Sequence, residues 1–174
     1  QPINLIGIEP EIEENLSILP DYMIVGSIDN LSQSNSIIIG SSLAAKISAY
    51  VGDDITITTS DIKTTLIGSY PLSIKLKIVG IYELKTEIDQ YLTLTSHATA
   101  QKLKRLDSDE TLSIRLKTTN LFDADKIGKE IIKNLGNGYY FTSWKDSHGT
   151  LFEAIKFEKL LISLMLFLIV GVAS

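Results

Sequence analysis

The alternation of apolar and polar residues along this chain changes character twice: short runs at strand spacing occupy most of it, a helical spacing follows, and the last stretch is apolar on every face. Ile3 to Ile8 reads as a buried strand, stopped at Gly7-Ile8-Glu9-Pro10 because proline restricts the residue before it and gives no N–H to a ladder. The acidic Glu11-Ile12-Glu13-Glu14 suits the positive end of a short helix or a solvated turn. Pro20 to Ser36, rich in Ser, Asn and Asp, reads as mostly loop, with Ile24-Val25 its one apolar pair. Ile37-Ile38-Ile39-Gly40 is a predicted strand, and Ser41 or Ser42 is placed to cap a short helix through Ile47. Ile55-Thr56-Ile57-Thr58 and Ile74 to Ile81 alternate as two strands that pair, joined by Ser60 to Ser73, which is too long for a tight hairpin. Within that connection Leu66-Ile67-Gly68-Ser69-Tyr70-Pro71 sets apolar side chains on a Gly and Pro frame, the pattern of a functional loop or of residues folded back onto the core.

Tyr91 to Leu94 is a further strand, and Ser96 caps a helix over His97 to Leu103. Leu112 to Lys117 alternates, Asn120 caps a helix from Leu121 to Leu135, Gly136-Asn137-Gly138 ends it, and Tyr139 to Thr142 reads as strand, so that 111–143 is a predicted βαβ-like unit. After Trp144-Lys145-Asp146, the apolar Leu151, Phe152, Ile155 and Phe157 recur at near-helical spacing among Glu153, Lys156, Glu158 and Lys159. From Leu160 to Ala173 only Ser163 and small residues interrupt an aliphatic run of 14. About 20 residues cross a bilayer, so the run alone is a core helix, a tail anchor or a span cut short. The cut span is the favoured reading, because a domain ending in an uncovered apolar helix is an aggregation liability. The expectation is an extramembrane domain, 1–146, with a strand-rich middle over about 20–100, carried on a stalk over 147–174 that enters a membrane. With Gln1 as its first residue, the chain reads as a piece of a larger membrane protein. Trp144 is either an interfacial anchor or a cap on the core.

Composition narrows the chemistry. A net charge of −5 without a block of Lys or Arg disfavours nucleic acid, which requires a cationic face. With no cysteine there is no disulfide, thiolate zinc site or thiol nucleophile. His97 and His148 are the two histidines and lack a partner at metal-binding spacing. Ile39-Gly40-Ser41-Ser42 is not a nucleophile elbow. Asp107, Asp109 and Glu110 lack the glycine and terminal glutamate of a calcium loop and read as a solvated turn. The residues assign no catalytic site, metal or cofactor.

Several short pieces taken in order carry a resemblance: Gly7-Ile8-Glu9-Pro10, Ile39-Gly40-Ser41-Ser42-Leu43-Ala44, Val51-Gly52-Asp53, Val79-Gly80-Ile81-Tyr82, Trp144-Lys145-Asp146, and Leu151 through Lys159. Together they resemble the lipoprotein-releasing ABC transporter permeases of the LolC/LolE type over nearly the whole chain. The resemblance implies an α+β, MacB-like periplasmic domain with a porter-like βαβ subdomain and a sabre-like strand-rich subdomain. It lies between two transmembrane helices, with Leu160 to Ser174 opening the second, and belongs to a multi-pass inner-membrane protein of a Gram-negative cell. The implied partners are a LolD-type ATPase, a second permease subunit in a LolC/LolE pair or a homodimer, acylated lipoproteins, the membrane, and the periplasmic carrier LolA. The subunit itself is implied to be non-catalytic and cofactor-free.

LolC-type members carry a hook that recruits LolA, with the pattern Pro-Met-Gly-Arg-x-Pro. Leu66, Ile67, Gly68, Ser69, Tyr70 and Pro71 fall on it; Gly68 and Pro71 match, while Leu66, Ile67 and Ser69 replace Pro, Met and Arg. The retained apolar tip favours a LolC-like or hybrid subunit over a LolE-like one. Leu164, Met165 and Phe167 are the corresponding candidates for acyl-chain contact, and equally suit helix packing. The same fold would serve a MacB-like efflux or mechanotransmission permease or an FtsX-like one, and a membrane-tethered sensor or enzyme domain is the rival of a different class.

Overall fold

A computed structural model describes residues 2–65, 68–104, 113–136 and 138–173. The chain divides into two compact units, Gln1–Leu116 and Lys117–Ser174.

Unit 1 is built on a mixed six-stranded sheet. Its strands are β1 (Asn4–Ile8), β2 (Met23–Gly26), β3 (Ser36–Gly40), β4 (Asp54–Thr65), β5 (Gly68–Tyr82) and β6 (Leu92–Ser96), ordered β1-β6-β3-β5-β2 with β4 paired to β5. The continuous Ile37-Ile38-Ile39 run is the mark of a strand covered on both faces, and every residue of β3 is buried. Ile38 joins Ile8, Leu19, Ile28, Leu31, Val79, Tyr82 and Leu94 in one core cluster; Ile37 and Ile39 join Leu43, Ala44, Ala49, Ile57, Leu76 and Ile78 in another. Each fully buried Leu or Ile contributes about 1.5–3 kcal/mol, so this alternation commits β3 to one register. The mixed α/β sheet agrees with the expected α+β class.

Leu19, Ile28 and Leu31 come from the stretch expected to be loop. Two 3-10 turns, Leu19–Tyr22 and Ile28–Ser32, place them inward, with β2 between, and Ser27 caps the second by accepting from Asp29 N–H at 3.2 Å. Single apolar residues in short turns carry no periodicity, which is why the pattern hides them. Pro10, expected only to stop a strand, opens α1 (Pro10–Leu16), where its missing N–H costs nothing. Helix α2 (Ser41–Ile47) is capped by Gly40 and not by either serine. A Cβ on Gly40 would lie 2.3 Å from the Asp89 carbonyl oxygen, so the helix begins where the backbone of another segment presses closest. Helix α3 (His97–Lys104) is capped as expected, with Thr99 N–H donating to Ser96 Oγ at 3.3 Å.

The expected long connection between β4 and β5 is strand. The ladder continues past Thr58↔Ser73, through a register shift, to Ile62↔Pro71, Lys63↔Tyr70, Thr64↔Ser69 and Thr65↔Gly68. Ser, Thr and Lys on both sides of such a ribbon mimic loop composition, because a two-stranded arm away from the core has no face that must be apolar.

Unit 2 contains a 3-10 turn at Leu121–Asp123, helix α4 (Ala124–Leu135) and helix α5 (Trp144–Ala173). Asn120 accepts from Phe122 N–H at 3.1 Å, and Gly136, at φ 89°, ends α4, both as expected. The strands expected on either side of α4 are a correction: among the described residues neither 113–118 nor 139–143 belongs to a β-ladder. Alternation marks an extended backbone with one apolar face, but a strand exists only through a hydrogen-bonded neighbour. Leu112 and the Asp107-Asp109-Glu110 turn lie outside the described residues.

The buried Asp89 carboxylate holds the turn after β5, accepting Leu84 N–H at 3.0 Å and Lys85 N–H at 2.8 Å, with Lys85 at φ 58°. Asp89→Ala leaves these N–H groups without acceptors and is expected to destabilise unit 1 by about 1–3 kcal/mol. Urea unfolding followed by circular dichroism measures it, and a midpoint within error of the parent would contradict this role.

Candidate functional site

The β4–β5 arm is the feature that departs most from a compact sheet. Strand β3 pairs with β5 only from Lys77 onward, so residues 68–76 have β4 as their one described strand neighbour. At about 3.4 Å per residue that length of β5 spans roughly 30 Å. Its root is fixed: Ile57 and Leu76 are buried in the core, Thr58 Oγ1 and Ser73 Oγ share a hydrogen bond at 2.8 Å, and Lys75 Nζ lies 2.9 Å from Asp54 Oδ2. The Lys75 ammonium, mainly by hydrogen bonding, holds the Asp54 carboxyl below its usual value.

Of the six residues expected at the hook, Gly68, Ser69, Tyr70 and Pro71 lie consecutively at the start of β5, so the arm brings them to its far end. Leu66 and Ile67, the two residues between the strands, lie outside the described residues. Pro71 is exposed and pairs with Ile62 just beyond the register shift. A proline is tolerated there because β5 is laddered on one side alone.

The Trp144-Lys145-Asp146 motif caps a helix. Ser143 N–H donates to Asp146 Oδ2 at 2.7 Å and Ser143 Oγ accepts from Lys145 N–H at 3.3 Å, a reciprocal arrangement that satisfies free groups at the start of α5. Trp144 Nε1–H donates to the Leu121 carbonyl at 2.7 Å, and its ring meets Phe122 edge to face at 6.1 Å. Lys145 Nζ reaches Asp125 Oδ2 at 2.7 Å, tying α5 to α4. Gly128 completes this packing, since a Cβ there would lie 2.6 Å from the Phe141 ring. At 1.5 Å per residue Trp144 sits about 24 Å along the helix from Leu160.

Helix α5 is continuous, and the side chains from Leu164 to Val170 are exposed. Leu164, Met165 and Phe167 are among them, and nothing in the structure separates these three from their neighbours. Among the described residues no helix is long and apolar enough to cross a membrane. The run from Leu160 to Ala173 covers about 21 Å, against about 30 Å of bilayer hydrocarbon.

No group of three His, Asp or Glu side chains among the described residues is placed to hold a metal ion. Glu13 is fully buried, and its Oε2 accepts from the Arg115 guanidinium. Sequence reading placed it in a short helix or a solvated turn, and the helix forms, but the 102-residue separation of the pair gave no local signal of its burial.

The sequence of this chain has relatives among known proteins. The chain is 28% identical over 176 residues to the "Lipoprotein-releasing system transmembrane protein LolC" of Xylella fastidiosa (strain 9a5c), an alignment covering all of this chain and 42% of that protein. It is 31% identical over 172 residues to LolC of Buchnera aphidicola subsp. Schizaphis graminum (strain Sg), covering 98% and 42%. This chain is a relative of the LolC/LolE proteins. LolE of Haemophilus influenzae (strain ATCC 51907 / DSM 11121 / KW20 / Rd) is 20% identical over 171 residues. No protein-family model matches. The chain spans about 42% of the length of the LolC relatives named here.

The Lys145 ammonium, with Ser143, holds the Asp125 carboxyl below the usual carboxylate range. Because the folded value is depressed, the contribution is present above the ordinary carboxylate pKa and lost as pH falls through the lowered one. Lys145→Gln is expected to raise the Asp125 titration, followed by carboxyl carbon NMR, toward the ordinary range, with Ser143 still lowering it; an unmoved titration would show that the pair is not formed.

Proposed function

We propose that this chain is the extramembrane domain of a LolC-type permease subunit that releases lipoproteins from a membrane, together with the start of the helix that enters it, and that the β4–β5 arm docks the component that receives them. The observation that carries the reading is the arm itself. A ribbon of roughly 30 Å, rooted in the core and ending at Gly68, is costly to order unless its end meets a partner. The residues at that end are those resembling the carrier-recruiting hook. The proposed receiver is a LolA-type carrier, the cargo acylated lipoprotein, and the remaining partners a LolD-type ATPase and a second permease subunit. Identity of 28% and 31% to two LolC proteins, against 20% to a LolE protein, favours the LolC side.

In this assembly unit 1 serves as the strand-rich part of a MacB-like periplasmic domain. Helix α5 is the stalk, with its apolar half embedded in the inner membrane, and Leu164, Met165 and Phe167 offer surface to acyl chains. The subunit performs no covalent chemistry: ATP is hydrolysed on the partner, and the arm and stalk position and pass cargo.

The test is binding of the full 174-residue chain, held in detergent micelles, to a purified LolA-type carrier. Ile67→Asp introduces a charge between the strands, and Gly68→Pro removes the N–H at the last ladder pair, Thr65↔Gly68. Each variant is expected to weaken binding at least tenfold, about 1.4 kcal/mol, with the circular dichroism spectrum unchanged. Absence of binding by the folded parent would overturn carrier recruitment, and undiminished binding by both variants would remove the contact from the arm's end.

A further inference from the structure

Strand β2 ends the sheet of unit 1, and among the described residues its one strand partner is β5. Successive side chains of a regular strand alternate between faces, so one of Ile24 and Val25 would be covered. A register shift between Met23 and Val25 interrupts that alternation, and both are exposed, at 55% and 48%. Ile18 and Tyr22, just before the strand, are exposed as well. An apolar edge strand in solvent is a template for another strand, and natural sheets often blunt such edges with lysine. Here the sequence supplies the opposite charge: residues 1–45 carry Glu9, Glu11, Glu13, Glu14, Asp21 and Asp29 and neither Lys nor Arg. Arg115 answers Glu13, and the other five acids are exposed. Beyond the pairing with β5, Glu83 adds an acid, its N–H donating to the Tyr22 carbonyl at 3.0 Å, and Lys85 follows it.

A groove lies beside the strand, and Pro10, Glu14, Pro20, Met23, Ile28 and Asp29 are among the residues lining it. Two prolines, a methionine and an isoleucine give it apolar walls, while Glu14 and Asp29 bring carboxylates. That combination suits a Lys or Arg side chain, whose stem is apolar and whose head is cationic. The same charges disfavour a second copy of this chain. Antiparallel pairing of two β2 edges would set Asp21 of each copy toward the Asp29 end of the other, and like charges across a strand pair are destabilising.

We propose that the β2 edge receives an extended polypeptide segment of another protein that carries Lys or Arg, adding a strand to the sheet and seating a cationic side chain in the groove. In such strand addition the main chain supplies affinity and side-chain pockets supply specificity. With four residues in β2, few main-chain bonds are on offer, so the charge carries the selectivity. The surface is separate from the arm's end: β2 pairs with β5 at Gly80 to Tyr82, about 40 Å along the strand from Gly68, so this inference and the carrier reading fail independently.

The test uses the full chain in uncharged detergent micelles and an acetylated heptapeptide, Lys-Val-Thr-Val-Thr-Val-Lys, followed by amide NMR. The peptide is expected to shift the signals of residues 22–26 saturably, with a Kd below about 1 mM that rises with salt. The same peptide with glutamate for lysine, or with its valines N-methylated to remove donors, is expected to bind at least tenfold more weakly. Glu14→Lys/Asp21→Lys is expected to weaken the lysine peptide at least tenfold while leaving the β3 signals in place. No saturable shift at 22–26 would overturn the proposal. Equal binding of the N-methylated peptide would overturn strand addition, and equal binding of the glutamate peptide would overturn the charge preference.

Discussion

Burial of β3 on both faces is the constraint on which unit 1 depends. Ile37 and Ile39 belong to one core cluster and Ile38 to the other, so a one-residue slip would exchange the two sets. Strand β3 also pairs with β5 on one side and β6 on the other, fixing both neighbours. Through β5 this constraint reaches the arm. The same strand that contributes Leu76 and Ile78 to the core continues outward to Gly68, so its far end inherits direction from the most deeply buried part of the molecule.

Polar groups do more to define the joints than the apolar ones do. Asp89 closes the turn after β5 through backbone N–H groups, and its own backbone fills the space left by the missing side chain of Gly40. Thr95, buried in β6, donates to the Ser36 carbonyl at 2.7 Å, and Tyr82 donates its hydroxyl to the Leu92 carbonyl at 2.9 Å. Burial, with the nearby Asp89 carboxylate, raises the Tyr82 hydroxyl well above its ordinary value, so it remains a donor throughout the physiological range. Unit 2 follows the same rule: Ser143, Lys145 and Asp146 fix the start of helix α5 and tie it to α4.

The two parts proposed for function are the end of the arm and a helix whose side chains from Leu164 to Val170 are exposed. Asp54 and Asp125 each pair with a lysine, and Glu13 pairs with Arg115.

Local pattern alone determined much of this protein. The two-face burial of Ile37-Ile38-Ile39, the caps at Ser96 and Asn120, the stop at Gly136 and the helical, apolar character of 160–173 all follow from residues within a few positions of one another. The family resemblance was legible too, in short motifs whose order spans the chain. Tertiary structure decided the rest, because its causes lie far apart in sequence. Ser60 to Ser73 is an arm and not a loop because β4 finds β5, and Leu19, Ile28 and Leu31 are core because a sheet passes over them. Residues 113–118 and 139–143 alternate like strands but join no ladder among the described residues. Glu13 is buried because an arginine 102 residues later meets it. Periodicity records which face of an element is apolar; which neighbour lies against that face is a property of the folded chain alone.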